Sequence, residues 1–462
     1  MTYTKAILIG FAVFLSACAT TSEVLKPAIE MPAAYKENTL PTSAALTIDW
    51  WNAFGSQELA ALVDTALREN PDIAIAGERV RQAEAQTRIA NASLFPFVSA
   101  GAGTSRRGSD TDGNSSRSDS TGVDLDASYE LDLWGLNAAD RRSARALLSA
   151  TDYDRENIRL TLTAGVANAY FQVLSLRGRL QVARANLEIA ERVFNIVEIR
   201  NRNGVVSALD VARQQTAVLE QRAAIPALEL QERQTLHALA ILVGRPPESF
   251  DVKGLNVETL SIPSVAPGLP AELLVRRPDL AAAEAQLMAA NANLAAARAA
   301  LLPSVQLSAS IGVGADRFVS LASPHTATYA IAASVLQTIF DGGRLRAQVD
   351  IAGSRERELV ENYRRAILAA LADVEDALVA SDRSAEQQRL QIEAREQARR
   401  ALRLAEVRYR EGADDLLSVL DAQRSFFSAE DTVAQLQLSR LQASVGMYKA
   451  LGGGWQTNQA LP

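Results

Sequence analysis

Cysteine is almost missing from this chain of 462 residues: Cys18 stands alone, so neither an internal disulfide nor a thiolate metal cage can form within one chain. Histidine is nearly as scarce. His237 and His325 lie far apart, with no cysteine or metal-spaced carboxylate cluster beside either, so metal-dependent or histidine-based catalysis finds no material. No phosphate-binding glycine loop follows a buried strand, which removes intrinsic nucleotide hydrolysis. Only four methionines are present, and Met1 and Met31 stand too far forward to serve a soft-metal relay. An excess of one charge is also lacking: 47 Lys and Arg are interspersed with 54 Asp and Glu, and the net charge of −7 offers no basic field to nucleic acid. No catalytic residue, metal site, cofactor or nucleic-acid partner is expected.

What the chain does have is 48% apolar residues with only 5% aromatics, and abundant Ala, Leu, Gln and Arg, a composition suited to long helices in slender contacts. At the amino terminus Lys5 precedes a short apolar run, residues 6–14, and then Leu15-Ser16-Ala17-Cys18. The run is too short to span a bilayer as a mature helix and reads as a secretory signal, residues 1–17. Leu15 to Cys18 resembles a bacterial lipobox, which implies lipidation of Cys18 and an extended lipidated segment over 18–55. Ala19 after the cysteine is similar to lipoproteins sent to the outer membrane.

The chain is internally duplicated. Asn70-Pro71-Asp72-Ile73 recurs as Arg277-Pro278-Asp279-Leu280, and the pairs Pro96/Pro303, Gly135/Gly342, Gly204/Gly412 and Gly244/Gly452 keep an offset of 207 to 208 residues. So many landmarks in register define two copies of one unit, 56–245 and 271–453. A Pro-rich linker, 246–270, joins them, and a tail follows over 454–462.

Each copy reads as helix, two strands, long helix, tight turn, long helix. Proline at 71 and 278 suits the first turn of a helix. Val123, Leu125, Ala127, Tyr129, Leu131 and Leu133 then alternate with Asp124, Asp126, Ser128, Glu130 and Asp132, a strand with one apolar and one acidic face. Val305 to Val313 alternates against serines and Gln306 in the same way, and runs near 96–105 and 326–340 supply partner strands. Between the first pair, the Ser-, Gly-, Asp- and Arg-rich tract 103–121 reads as a flexible exposed loop.

Runs of this length match the roughly 9 to 11 residues that a tilted strand needs to cross a membrane. Four strands cannot close a barrel, and open edges are not tolerated in lipid, so oligomerisation follows; three chains give twelve strands and room for a lumen. Leu180, Ala183, Leu187, Ala190, Phe194 and Val197 recur at spacings of three and four, as do Leu438, Leu441, Val445 and Tyr448, the seam of a coiled coil. A helix over about 137–200 would reach roughly 95 Å. Gly204 and Gly412, each after a basic last turn, end these helices and place a hairpin tip in each copy.

Asp49-Trp50-Trp51 with Phe54, Ala66 to Asp72, Tyr129 to Gly135, Arg408 to Gly412 and Leu420 to Arg424 stand in the order and spacing of the TolC-type outer-membrane factor family. The chain resembles its lipid-anchored branch, which serves resistance, nodulation and division (RND) pumps. The resemblance implies a mostly α protein with a membrane β contribution. It also implies a homotrimer with a 12-stranded β-barrel in the outer membrane and a 12-helix periplasmic α-barrel. The partners it implies are a periplasmic adaptor, an inner-membrane RND-type pump and outer-membrane lipid, and the activity is passive export of small molecules. By position, Asp414 and Asp415 fall at the acidic ring of the periplasmic gate, where crowding would raise carboxyl pKa values, with Arg408, Tyr409 and Arg410 as donors that tether the tips. Asn203, Gly204, Val205, Val206, Ser207, Glu411, Gly412 and Ala413 would form the adaptor-contact tips. Asp124, Asp126, Glu130 and Asp132 would face the lumen and favour cations. A type I protein-secretion duct and a structural periplasmic coiled-coil lipoprotein remain as alternatives.

Overall fold

The computed structural model describes residues 30–36, 46–112, 114–316 and 326–455. Cys18 with its leader, His325, and the tail beyond 455 lie outside the described residues. The described residues separate into two compact units, each drawing on both sequence copies: one holds those within 79–152 and 282–365, the other those within 30–78, 153–281 and 366–455.

The first unit is built around one antiparallel sheet. β1 (Phe97–Thr111), β2 (Asn114–Leu131), β3 (Ser304–Ala315) and β4 (Thr326–Leu336) pair in that order, so β1 and β4 carry the free edges. The register lines up Val98, Ala127, Ala309 and Ile331 in one row and Ala100, Leu125, Ile311 and Tyr329 in the next. Alternate rows carry Ser99, Asp126 and Ser310, or Asp124 between Gly101 and Gly312. One face is therefore apolar and the other polar, with the apolar one uncovered: Tyr329 and Ile331 are each 85% exposed. Among the described residues no helix is long and apolar enough to cross a membrane.

The tract 103–121 differs from expectation. It is not a loop, because β1 and β2 continue their pairing out to Thr111 opposite Asn114. Serine and glycine contribute no hydropathy signal, yet the backbone ladder needs none, and Thr104 with Thr121 (3.0 Å) and Arg106 with Asp119 (2.7 and 2.8 Å) pin the register across it. β4 likewise stops at Leu336, short of the expected 340.

Helices run into and out of the sheet. α1 (Gln57–Glu69), capped by Ser56, precedes α2 (Pro71–Ala92). α3 (Leu136–Arg202) and α4 (Ala208–Val243) form the first hairpin. α5 (Pro278–Ala299) opens the second copy, and α6 (Arg344–Arg410) and α7 (Leu416–Ala450) form the second hairpin. In the second unit the predicted seam is the buried one: Leu180, Ala183, Ala190 and Val197 on α3, and Leu438, Leu441, Val445 and Tyr448 on α7.

The Pro-rich linker is laced across this unit. Arg177 donates to Glu232 (2.9 Å), to Asp251 (2.6 Å) and to the carbonyls of Val252 and Gly254 (2.5 and 2.8 Å). Glu58 accepts from the backbone of Lys253 and Gly254 and from the Tyr170 hydroxyl. A β-carbon at Gly254 would sit 2.6 Å from the end of the Leu174 side chain, so a larger residue here would force Leu174 to shift.

Candidate functional site

The tips are built by the same device twice. α3 ends at Arg202, and Gly204 turns the chain with φ +72°, letting the Val205 amide donate back to the Arg200 carbonyl at 2.9 Å. α6 ends at Arg410, and Gly412 at φ +77° lets the Ala413 amide reach the Arg408 carbonyl at 2.8 Å. Both are six-to-one helix closures that require a left-handed residue. Ser207 then caps α4 in a reciprocal box with Asp210, and Asp415 caps α7 by accepting from the Ser418 amide at 3.0 Å. The expected tip residues Asn203, Gly204, Val205, Ser207, Glu411, Gly412 and Ala413 are exposed, while Val206 packs partly into the core beneath them.

The structure brings the gate candidates together unevenly. Asp414 accepts from Arg408 Nε (3.2 Å), from the Ser418 hydroxyl (3.0 Å) and from the Asp415 amide (3.1 Å). These donors, Arg408 foremost, hold its carboxyl below the usual carboxylate range. Within one protomer a cation and two donors surround the group, whereas the expected rise concerned carboxylates that three chains bring together. Asp415 is committed to its helix cap, and Arg410 is exposed.

Tyr409 is buried in the cluster that joins the two hairpins, with Val193, Val197, Leu416 and Val419. Its burial pushes its hydroxyl upward in pKa. Arg200 lies over its ring at 4.7 Å and donates to its carbonyl oxygen. Tyr409, expected among the donors that tether the tips, receives a cation from α3 over its ring. Arg200 was missed in the sequence because its partner lies 209 positions away. Asp421 was read only as part of a family motif, yet it stands exposed on the second turn of α7 with a single 3.4 Å contact to Arg424, less engaged than Asp414.

On the sheet, Asp124, Asp126 and Glu130 share the polar face, and the Asp124 carboxylate lies over the notch at Gly101. Asp132 does not join them. It lies beyond β2 and accepts from the amides of Asn137 and Ala138 (3.1 and 2.7 Å), capping α3. Alternation in sequence cannot show where a strand stops.

A sheet with one apolar face and two open edges, fed by long helical hairpins, defines the class: a channel-forming export protein of the outer membrane. The outer membrane efflux protein family model matches residues 62–245 and 269–453, and the chain belongs to that family. It is 44% identical to the pyoverdine export outer membrane protein OpmQ of Pseudomonas aeruginosa, over 98% of this chain and 97% of that one. It is 33% identical to the toluene efflux pump outer membrane protein TtgC of Pseudomonas putida, covering 92% and 90%. Among solved structures it matches the outer-membrane channel OprN at a TM-score of 0.87 and 30% identity, covering 94% and 100%. It matches the open state of the Neisseria gonorrhoeae MtrE channel at 0.85 and 32%, covering 95% and 98%. The chain is an outer-membrane channel component of a tripartite efflux system of a Gram-negative bacterium, extending into the periplasm.

Proposed function

We infer that three copies assemble into a passive duct. Their sheets close a 12-stranded barrel, the helical hairpins line a gated tunnel, and the duct catalyses no reaction. The observation that carries this reading is the four-stranded sheet, whose apolar rows are uncovered and whose outer strands β1 and β4 have no partner on their outer edges among the described residues. In lipid each unpaired backbone group costs several kcal/mol, so only edge-to-edge closure with further copies makes the sheet tolerable. Cys18 carries the lipid anchor, and a periplasmic adaptor and an inner-membrane RND-type pump deliver the cargo. That the relatives are named for export of pyoverdine and toluene supports small molecules as cargo. Asp124, Asp126 and Glu130 face the lumen and favour cations.

The tips act as the gate. Arg408 and Asp414 tie the α6–α7 turn to itself, and Arg200 on Tyr409 ties the two hairpins together. Single-channel conductance of the purified trimer in planar bilayers tests this, comparing wild type with Asp414→Ala/Asp415→Ala. Small conductance that rises in the variant is expected. An unchanged variant would remove the gate assignment and leave the duct, whereas no conductance from either, in a preparation lacking trimers, would remove the duct.

A further inference from the structure

The register of the sheet fixes which residues leave the membrane first on its lipid side. The apolar rows begin at Leu131, opposite Val305 and Val335, and end where Thr121 pairs with Thr104 and Ala315. That is ten residue steps along β2, from Leu131 to Thr121, or roughly 33 Å along the strand and roughly 25 Å along the membrane normal at a tilt near 40°, the height of a barrel's apolar band. Among the described residues only the β1–β2 hairpin continues beyond it, on the end of the sheet remote from α2 and α3.

Side chains on this extension keep their alternation. Arg106 and Asp119 are the next pair on the lipid-facing side, and Arg117 opposite Gly108 is the one after. Arg107, opposite Ser118, points to the polar face. Arg106 is already occupied, with Nε and one terminal nitrogen on the two oxygens of Asp119. Arg117 is exposed, faces a residue with no side chain, and stands four residues past Thr121, about 10 Å above the apolar band. A flexible guanidinium reaching back from there lies in the headgroup layer.

We propose that Arg117, steadied by the Arg106–Asp119 pair beside it, binds the phosphate of an outer-leaflet glycolipid, giving the trimer three such sites around its rim. A planar guanidinium presents paired donors to a phosphate, and the cross-strand partner Gly108 has no side chain to engage it. The proposal rests on the outer-membrane barrel reading above. Arg107 is an internal control, since it carries the same charge on the same hairpin but faces the other way.

The test is binding of fluorescent lipid A to the full-length trimer in detergent, with inorganic phosphate as competitor. Loss of one surface cation should weaken binding about fivefold. The expected pattern is that weakening in Arg117→Gln, wild-type binding in Arg107→Gln, and no competition by millimolar phosphate. Equal binding by Arg117→Gln and wild type, equal weakening by Arg107→Gln, or displacement by free phosphate would each overturn a lipid site. Conductance of the same preparations separates the two readings. Conducting channels with an indifferent Arg117→Gln overturn the headgroup site alone, whereas a wild type that neither conducts nor binds overturns the barrel and the site together.

Discussion

Asn70 and Arg277 do the same job in the two copies with different chemistry. The Asn70 side-chain amide donates to the carbonyl of Leu242 near the end of α4 (2.9 Å), and the Arg277 guanidinium donates to the carbonyl of Ala450 at the end of α7 (3.1 Å). Each thereby fastens the return of a helical hairpin to the start of its own copy. Arg277 carries more: it also grips Asp279 (3.0 and 2.7 Å) and reaches Asp373 (3.0 Å). Removing it empties a largely buried place and leaves the partly exposed Asp279, the exposed Asp373 and the Ala450 carbonyl without their donor. Arg277→Ala is expected to cost about 2 to 4 kcal/mol, and Asn70→Ala about 1 to 2. Denaturant unfolding followed by circular dichroism should rank them in that order.

The glycines that close those hairpins are a second matched pair. Gly244 (φ +78°) would place a β-carbon 2.5 Å from the Glu69 carbonyl oxygen, and one at Gly452 (φ +85°) would collide with the Arg276 carbonyl. Gly204 and Gly412 have similar φ values, +72° and +77°, but open space around them. Conformation alone costs about 1 to 2 kcal/mol for alanine in this region. Gly412→Ala should therefore still assemble, with a modest loss of stability, whereas Gly452→Ala should fail to yield trimers on gel filtration. Equal yields would mean that the close approach is not maintained in solution.

The duplication was readable because landmarks such as Gly204 and Gly412 obey local backbone rules that recur at one offset. The long helices were readable because their seam repeats, so α3 spans 136–202 where 137–200 was expected. What escaped depends on partners distant in sequence. Ser105 to Ser120 carries no alternating hydropathy, so its pairing shows only once both strands are aligned. Asp132 matches its strand neighbours in parity, and only the position of the first turn of α3 converts it from a lumen candidate into a cap. Asp414 was placed in an acidic ring by analogy, and its real first partner, Arg408, comes from the turn of the preceding helix.

Tyr170 links stability to alkaline pH. Its hydroxyl bridges Ser56 and Glu58 beneath the linker strap, and burial pushes its pKa up to about 12. The unfolded phenol titrates near 10. The neutral form therefore contributes stability that is full below pH 10 and is lost as pH rises toward 12. Tyr170→Phe should be less stable at neutral pH but should decline less between pH 10 and 12. Thermal midpoints across that range, with phenolate absorbance as the titration marker, check both halves of the statement.

The Arg408–Asp414 contact has the opposite sign. A carboxyl held below its ordinary range favours the folded tip at neutral pH, and that preference is lost only as pH falls below the unfolded value of about 3.9 and through the folded one. The tie should thus be intact at every pH from 5 upward and should loosen only in acid below the ordinary carboxylate range. Asp414→Asn removes the charge and keeps the shape, so it should conduct at pH 7 as wild type does once acid has protonated Asp414, and its conductance should no longer depend on acid. Asp421 supplies the competing assignment, because it is exposed and holds a single 3.4 Å contact to Arg424 where Asp414 has three donors. If acid opens wild type and Asp414→Asn alike, while Asp421→Asn loses the response, the gate lies one turn further along α7 and Asp414 serves only to shape the turn.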